Sequence, residues 1–250
     1  MKKIVLLLLI LFMPMFSIKG QTQHWSTEKE KEIYDRGASI SMILPSFMRF
    51  SLSQLNPLLS ENGYPLIPQN TFNYGIGVSY RLNRFESGIN SMISYQTRSN
   101  ELLNSETLRK SLGGNLFLQY HLFRKGVYSF YPFIGYSATD VNLIVSKKPL
   151  SDDISNLLRN PGTSLNLSHL SEGIIFGFGV DLADHWQEAP GLLRLKMGYR
   201  ISIRSHEWES KFFQLNNPPI DTFSGFFIQF EIGGLANWKK DDPWMNKYKF

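Results

Sequence analysis

Residues 193–204 alternate without a fault: Leu193, Leu195, Met197, Tyr199, Ile201 and Ile203 are interleaved with Arg194, Lys196, Gly198, Arg200, Ser202 and Arg204. Successive side chains of a strand point to opposite faces of a sheet, so this segment has one wholly apolar face and one polar or small face. Whatever the chain folds into must give both faces a home.

The same period of two recurs along the chain after Ala38. Phe72, Tyr74, Ile76, Val78, Tyr80 and Leu82 oppose Asn73, Gly75, Gly77, Ser79 and Arg81. Phe85, Ile89, Ile93 and Tyr95 oppose Glu86, Gly88, Asn90, Ser94 and Gln96. Leu116, Leu118, Tyr120 and Leu122 oppose Asn115, Phe117, Gln119 and His121. Ile174, Phe176, Phe178, Val180 and Leu182 oppose Ile175, Gly177, Gly179 and Asp181, and Phe226, Ile228, Phe230 and Ile232 oppose Gly225, Phe227, Gln229, Glu231 and Gly233. Two further segments, 38–50 and 128–145, alternate less well and carry Pro45 and Pro132, residues suited to edges or bulges. These make eight strands. The connections after the second, fourth and sixth are short, and those at 51–70, 97–110, 146–168 and 205–221 are longer.

An apolar face can cover a dry core, as in a soluble sandwich or lipocalin-like barrel, or it can face lipid. The opposite face decides. It is dominated by Gly, Ser and Asn with charges spaced among them, the composition that fills a narrow lumen. Aromatics gather at the strand ends, with Phe72, Tyr74 and Tyr95 at one and Tyr80, Phe85, Tyr120, Tyr128 and Phe130 at the other, as two interface girdles would. The pattern predicts an all-β, eight-stranded, antiparallel, up-and-down transmembrane β-barrel over residues 38–235. Short turns face the periplasm in such barrels, so both termini are expected there. At a two-residue turn of Asn83 and Arg84, Leu82 pairs with Phe85 and Arg81 with Glu86, which sets two opposite charges face to face in the lumen.

Over 38–235 the chain resembles the small eight-stranded bacterial outer-membrane barrels. Those proteins usually end in a strand with a terminal aromatic residue. Phe250 is terminal here and Tyr248 alternates with Lys247 and Lys249, but the charged stretch 239–243 intervenes after Gly234. The sequence therefore leaves 236–250 as a periplasmic tail, or else a different strand count.

The start of the chain fits export. Lys2 and Lys3 precede an apolar run of 13 residues from Ile4 to Phe16, too short to span a bilayer as a helix, and Gly20 offers a small residue for cleavage. We expect a signal peptide at 1–20 and a periplasmic segment at 21–37, where Thr27 and Glu30 form a weak capping box. Zero cysteine excludes a disulfide scaffold, a Cys-ligated metal, a thiol nucleophile and a lipoprotein anchor. Lys2, Lys3 and Lys19 fall in the leader, which leaves 23 cations against 21 anions and gives no support to nucleic-acid binding. No metal site and no cofactor is expected, because the five histidines show no close ligand spacing.

The predicted lumen sets Arg49, Arg81, Arg194, Lys196, Arg200 and Arg204 against Glu86, Asp181 and Glu231. Eight strands enclose just enough room for side chains, so this reads as a plug of ion pairs and hydrogen bonds, with His121 as a hydrogen-bonded filler. The excess of cations makes a narrow anion pore the alternative. A further alternative is enzymatic: His169 and Ser171 resemble the His-x-Ser of lipid A deacylases, although the phase of their strand turns both inward and Glu172 outward, with Glu207 a distant third member. All five Trp lie outside the strand interiors. Trp25, Trp186, Trp238 and Trp244 fall on the expected periplasmic side and Trp208 on the other. Trp25, Trp238, Trp244, Tyr248 and Phe250 sit in polar extensions and are candidates for docking a periplasmic or outer-membrane protein partner, beside the outer-membrane lipid that any such barrel contacts. The expected role is non-enzymatic, structural or interactive, through loops and periplasmic ends. The runner-up is an accessory subunit of an outer-membrane secretion, assembly or uptake complex.

Overall fold

In the computed structural model the alternating segments form β1 (Arg36–Arg49), β2 (Asn70–Leu82), β3 (Phe85–Asn100), β4 (Ser105–Tyr120), β6 (Tyr128–Lys147), β7 (Thr163–Trp186), β8 (Ala189–Ser205) and β10 (Gly225–Ala236). Two short strands, β5 (Phe123–Lys125) and β9 (Glu209–Ser210), extend the ladders, and the first long loop holds a helix, α1 (Leu55–Glu61). The structure describes residues 36–125, 128–147, 163–186, 189–210 and 212–236. The expected signal peptide, most of the 21–37 segment, the expected 236–250 tail beyond Ala236 and the five docking residues lie outside them.

Each long strand pairs antiparallel with the next, and β1 pairs with both β2 and β10, so the sheet closes on itself. The strand count and the all-antiparallel, up-and-down order are those expected from the period of two. The turn at Asn83 and Arg84 has the expected register, Leu82 against Phe85 and Arg81 against Glu86. Asn83 sits at φ 55°, the left-handed conformation that a tight hairpin turn of this kind needs and that Asn tolerates.

The apolar faces point outward. Ile76, Ile89, Leu116 and Ile134 are each more than half exposed, and Phe178, Met197 and Phe226 continue the band around the wall. A soluble chain rarely leaves so much contiguous apolar surface in water. At the short-turn end Phe85 packs against Tyr120 and Phe123 against Phe130, and at the other end Phe47 packs against Phe72. An apolar wall bounded by aromatics at both rims is the surface of a transmembrane barrel. Among the described residues no helix is long and apolar enough to cross a membrane.

Two bulges change the expected facing. Pro45 has no N–H to give to a ladder, and the register of β1 shifts between Ile43 and Ser46 on the β2 side and between Leu44 and Phe47 on the β10 side. Before the bulge Ser39, Ser41 and Ile43 face the lumen; after it Ser46 and Met48 do. Arg49, expected in the lumen, is therefore turned out and exposed. On β8 the partners run Gly173 to Ser202 and then Glu172 to Arg204, so Ile203 is the extra residue. Arg204, also expected inside, is exposed and sits opposite outward-facing Glu172. Pro132 needs no bulge. It lies where the β4 ladder ends, at Gln119 and Phe133, and the β5 ladder begins, at Phe123 and Phe130.

The strands are longer than the alternation of apolar residues suggested. The expected loop at 97–110 is ladder as far as the pair Asn100 and Ser105, leaving a four-residue turn at 101–104, and β6 and β7 stay paired as far as Lys147 and Thr163. With roughly 3.3 Å per residue and a tilt of about 40°, some 10 residues cross a band of about 25 Å. The 24 residues of β7 therefore carry the wall well past that band at the long-loop end.

Candidate functional site: the filled barrel interior

The lower layer starts from the short hairpin. Arg81 and Glu86 are opposed across the turn, and their side chains meet at 2.7 Å inside the barrel. Asp181 on β7 and Arg194 on β8 are likewise a cross-strand pair. The four join into one cluster. Arg81 bridges Glu86 and Asp181, and Arg194 donates from Nε to Asp181 Oδ1 at 2.8 Å and from Nη2 to Glu86 Oε1 at 2.7 Å. Two planar guanidinium forks thus share two carboxylates, the arrangement in which charge-assisted hydrogen bonds are strongest. Ser79 donates to Glu86, and His121 bridges Glu86 and Ser129 through its two ring nitrogens.

A second group continues the layer. Glu231 accepts from Lys196 at 3.1 Å, from Gln229 at 2.6 Å and from Ser41 at 3.0 Å, and Arg194 Nη1 stands 3.6 Å away. The Lys196 ammonium lies 3.8 Å from the centre of the Phe117 ring, a cation–π contact. Tyr131 packs on His121 at 4.9 Å between ring centres, and the Arg194 guanidinium lies over its face. The Tyr131 ring also covers Gly179, where any Cβ would collide with it. Of the nine expected network residues, Arg81, Glu86, Asp181, Arg194, Lys196 and Glu231 come together here, three cations against three anions. Arg49 and Arg204 point outward, as described, and the cation excess on which an anion pore was argued is absent from this layer.

Arg200 is buried but separate. It donates to Ser137, to Ser171 and to the carbonyls of Ser171 and Phe223, so it ties β6 and β7 to the last long loop. Ser171 is thereby engaged with Arg200 and Ser202, while His169 stacks between the Trp208 and Phe223 rings, each 4.9 Å away. Both are buried in the interior, so the His169 and Ser171 pair has neither the mutual hydrogen bond nor the lipid-facing position that the deacylase resemblance implied.

The upper layer is apolar and comes from the loops. Phe50, Leu52, Leu55, Leu59 and Ile67 of the first long loop and Trp208 and Phe223 of the last pack on Val141, Leu143, Val145 and Leu167, which line the wall above the charged layer. Polar ties hold the two loops to each other. Asp221 accepts from the Gln54 backbone N–H at 2.9 Å and from Trp208 Nε1 at 3.0 Å, and Gln54 Oε1 accepts from the Ile220 N–H at 2.9 Å. Sequence reasoning treated 51–70 as an irregular loop and missed this layer. The signal was present: Leu52, Leu55 and Leu59 are spaced as one face of a helix, and α1 buries Leu55 and Leu59.

Glu86, His121 and Asp181 place ligand atoms within 4.8 Å of one another, close enough to share a metal ion. Their ligand atoms are already engaged by Arg81, Arg194, Ser79 and Ser129, so the cluster is self-neutralising without one. Among the described residues the arrangement sets two layers inside the barrel, ion pairs below and loop side chains above.

No protein-family model matches the chain, and no curated protein matches it in sequence. Among solved structures it is similar to Neisserial surface protein A (NspA), at 12% identity and a TM-score of 0.37 over 81% of this chain and 97% of that one. It is also similar to Ail, the attachment invasion locus protein of Yersinia pestis, at 11% identity and a TM-score of 0.38 over 80% of this chain and 98% of that one. A third is the outer membrane protease OmpT from Escherichia coli, at 11% identity and a TM-score of 0.34 over 84% of this chain and 99% of that one. Values this low carry nothing about function, and the fold stands on the strand pairing alone.

Proposed function

We propose that the chain is a non-enzymatic barrel of a Gram-negative outer membrane, with a closed lumen, acting through its long loops outside and its termini in the periplasm. The observation that carries this reading is the double fill of the interior. Among the described residues the three-against-three ion layer and the loop layer fill the interior one above the other. The inward, engaged positions of His169 and Ser171 speak for a role other than lipid A chemistry. In a planar lipid bilayer the purified protein shows no conductance steps; regular, anion-selective steps would overturn the closed-lumen reading.

The membrane part of the proposal has its own test. Ile89 sits near mid-wall, between Val78 and Leu116, and is 61% exposed. Ile89→Arg lowers the stability of the protein folded in lipid vesicles by about 2–4 kcal/mol, as a cation on the lipid face near the bilayer midplane does. On a water-facing wall the same change is worth within about 0.5 kcal/mol, and that result would remove the bilayer from the argument.

The sequence also favours a periplasmic partner. Trp238, Trp244, Tyr248 and Phe250 lie among lysines in the tail, and Trp25 lies in the leading segment. Membership of an outer-membrane complex would follow if a stoichiometric protein copurified in mild detergent and was lost on deleting 236–250. A barrel that purifies alone from native membranes places the role in the outer loops.

A further inference from the structure

Among the described residues four arginines are buried inside the barrel: Arg81, Arg109, Arg194 and Arg200. The guanidinium edge formed by Nε and Nη2 matches the two oxygens of a carboxylate or phosphate. Arg81 turns that edge onto Glu86, and Arg194 turns it onto Asp181. Arg200 fills it with the hydroxyls of Ser137 and Ser171. On Arg109 of β4 the same edge is empty: Nε and Nη2 are buried and neither has a hydrogen-bond partner. The residue is 2% exposed, and none of the ion pairs among the described residues includes it. A buried charge without an acceptor is costly, and folded proteins rarely keep one.

The contacts Arg109 does make fix its orientation. Nη1 donates to the Pro68 carbonyl at 3.4 Å, and the guanidinium carbon stands 5.2 Å from the centre of the Phe50 ring. Both partners belong to the first long loop. Ser105 and Thr107, on the same face of β4, hold that loop by hydrogen bonds to the Gly63 and Pro65 carbonyls. The empty edge therefore belongs to a group already held in place. Neighbouring polar atoms are unfilled as well. Gln96 of β3 is the cross-strand partner of Arg109, and its amide donates to the Asn70 carbonyl of β2, next to Thr71. Gln96 Oε1 and the hydroxyl of fully buried Thr71 both lack partners. Arg109, Gln96 and Thr71 share the lumen side of three adjacent strands, each next to an outward, exposed neighbour: Lys110, Tyr95 and Phe72.

We propose that Arg109 anchors a binding site for a small free oxyanion, a carboxylate or phosphate, inside the barrel under the first long loop. The two parallel N–H groups of Arg109 grip two oxygens of the ion, as Arg194 grips Asp181. The Thr71 hydroxyl donates to it, and Gln96 Oε1 accepts from a protonated oxygen or a bound water. The barrel wall separates this face from lipid, so the ligand is a soluble ion that comes in at the loop end. The proposal goes beyond the closed-lumen reading and does not need it. Conductance reports passage through the ion layer, whereas binding reports only whether the Arg109 edge is filled.

The test titrates the full chain, purified in detergent free of phosphate and carboxylate, with sodium phosphate and separately with sodium acetate, followed by calorimetry. We expect saturable binding of one ion per chain, the tighter of the two naming the class, and a rise in the urea midpoint as the site fills. Arg109→Lys keeps the charge and loses the fork, and lowers affinity about tenfold or more. Thr71→Val keeps the shape and loses the hydroxyl, and lowers affinity less. Arg49→Gln, which removes an exposed cation from the outer face, leaves affinity unchanged. Heat-modifiable migration in gels checks that each variant folds, and Thr71→Val decides if Arg109→Lys does not. Absence of saturable binding to the native chain would overturn the assignment. So would binding that survives in the folded Arg109 and Thr71 variants, or binding lost in Arg49→Gln, which would mark an ion held on the outer surface.

Discussion

Arg194→Ala destabilises the folded barrel by about 3–5 kcal/mol, read from urea-induced unfolding in detergent or lipid. Its guanidinium is 1% exposed and engages Asp181 through two nitrogens, Glu86 through one, and stands 3.6 Å from Glu231. Removing it leaves three buried carboxylates with only Arg81 and Lys196 as cations. An uncompensated buried charge is the expensive outcome when one partner of a buried pair is lost, and this sets the magnitude. Arg194→Lys does not restore stability, because one ammonium on a flexible stem cannot fork between acids on β3, β7 and β10. The discriminating variant is Arg194→Met with Asp181→Asn. Removing a charge from each side costs less than Arg194→Met alone, with a coupling of about 0.5–3 kcal/mol. Equal costs for the single and double changes would show that the residues act by volume and that charge compensation has no part in it.

The architecture was legible because a strand has a period of two and a lipid-facing wall cannot tolerate faults in it. Residues 193–203 or 72–82 state both the strand and its facing. Pairing of Arg81 with Glu86 followed from the length of one turn, since a two-residue connection fixes register. What was not legible was whatever breaks the period. Pro45 announced a bulge without saying on which side the chain would resume, and Arg49 was read one face wrong in consequence. The bulge at Ile203 had no such marker. It lies in the cleanest alternation of the chain, and the alternation itself misassigned Arg204. The apolar character of Ile203 and the charge of Arg204 are both satisfied outside, at the edge of the band.

The candidate site divides in the same way. Its charged layer lies on strands, and six of its members could be named from phase alone. His121 was placed correctly as a filler, but its link to Glu86 joins residues 35 apart in sequence, and no local pattern contains that. The apolar layer depends on two loops folding into the barrel mouth. Leu52, Leu55, Leu59 and Trp208 are surface-like in a loop reading and buried in the structure, because the long strands build a wall above the membrane that has an inside to be filled.

Trp208→Ala costs about 3–5 kcal/mol in the loop layer, as the truncation of a large buried aromatic does. The indole is 1% exposed, stacks on His169, and donates to Asp221, itself fully buried. Asp221 keeps the Gln54 backbone bond but loses its second donor, so the tie between the first and last long loops weakens along with the packing. Trp208→Phe recovers much of the packing and none of the hydrogen bond, and falls between. Hydrogen exchange separates the two layers. Trp208→Ala exposes amides of 52–69 and 206–224 while the hairpin around Arg81 and Glu86 stays protected. Arg194→Ala has the reverse effect, because among the described residues its hydrogen bonds and ion pairs go to Glu86, Asp181 and Glu231 on the strands. Conductance follows the same logic. If each layer seals the lumen by itself, neither single variant conducts, and only the double variant Trp208→Ala with Arg194→Ala gives steps in a planar bilayer. Steps from Trp208→Ala alone would show that the ion layer is permeable, and the lumen would then be a gated path whose gate is the loop cap.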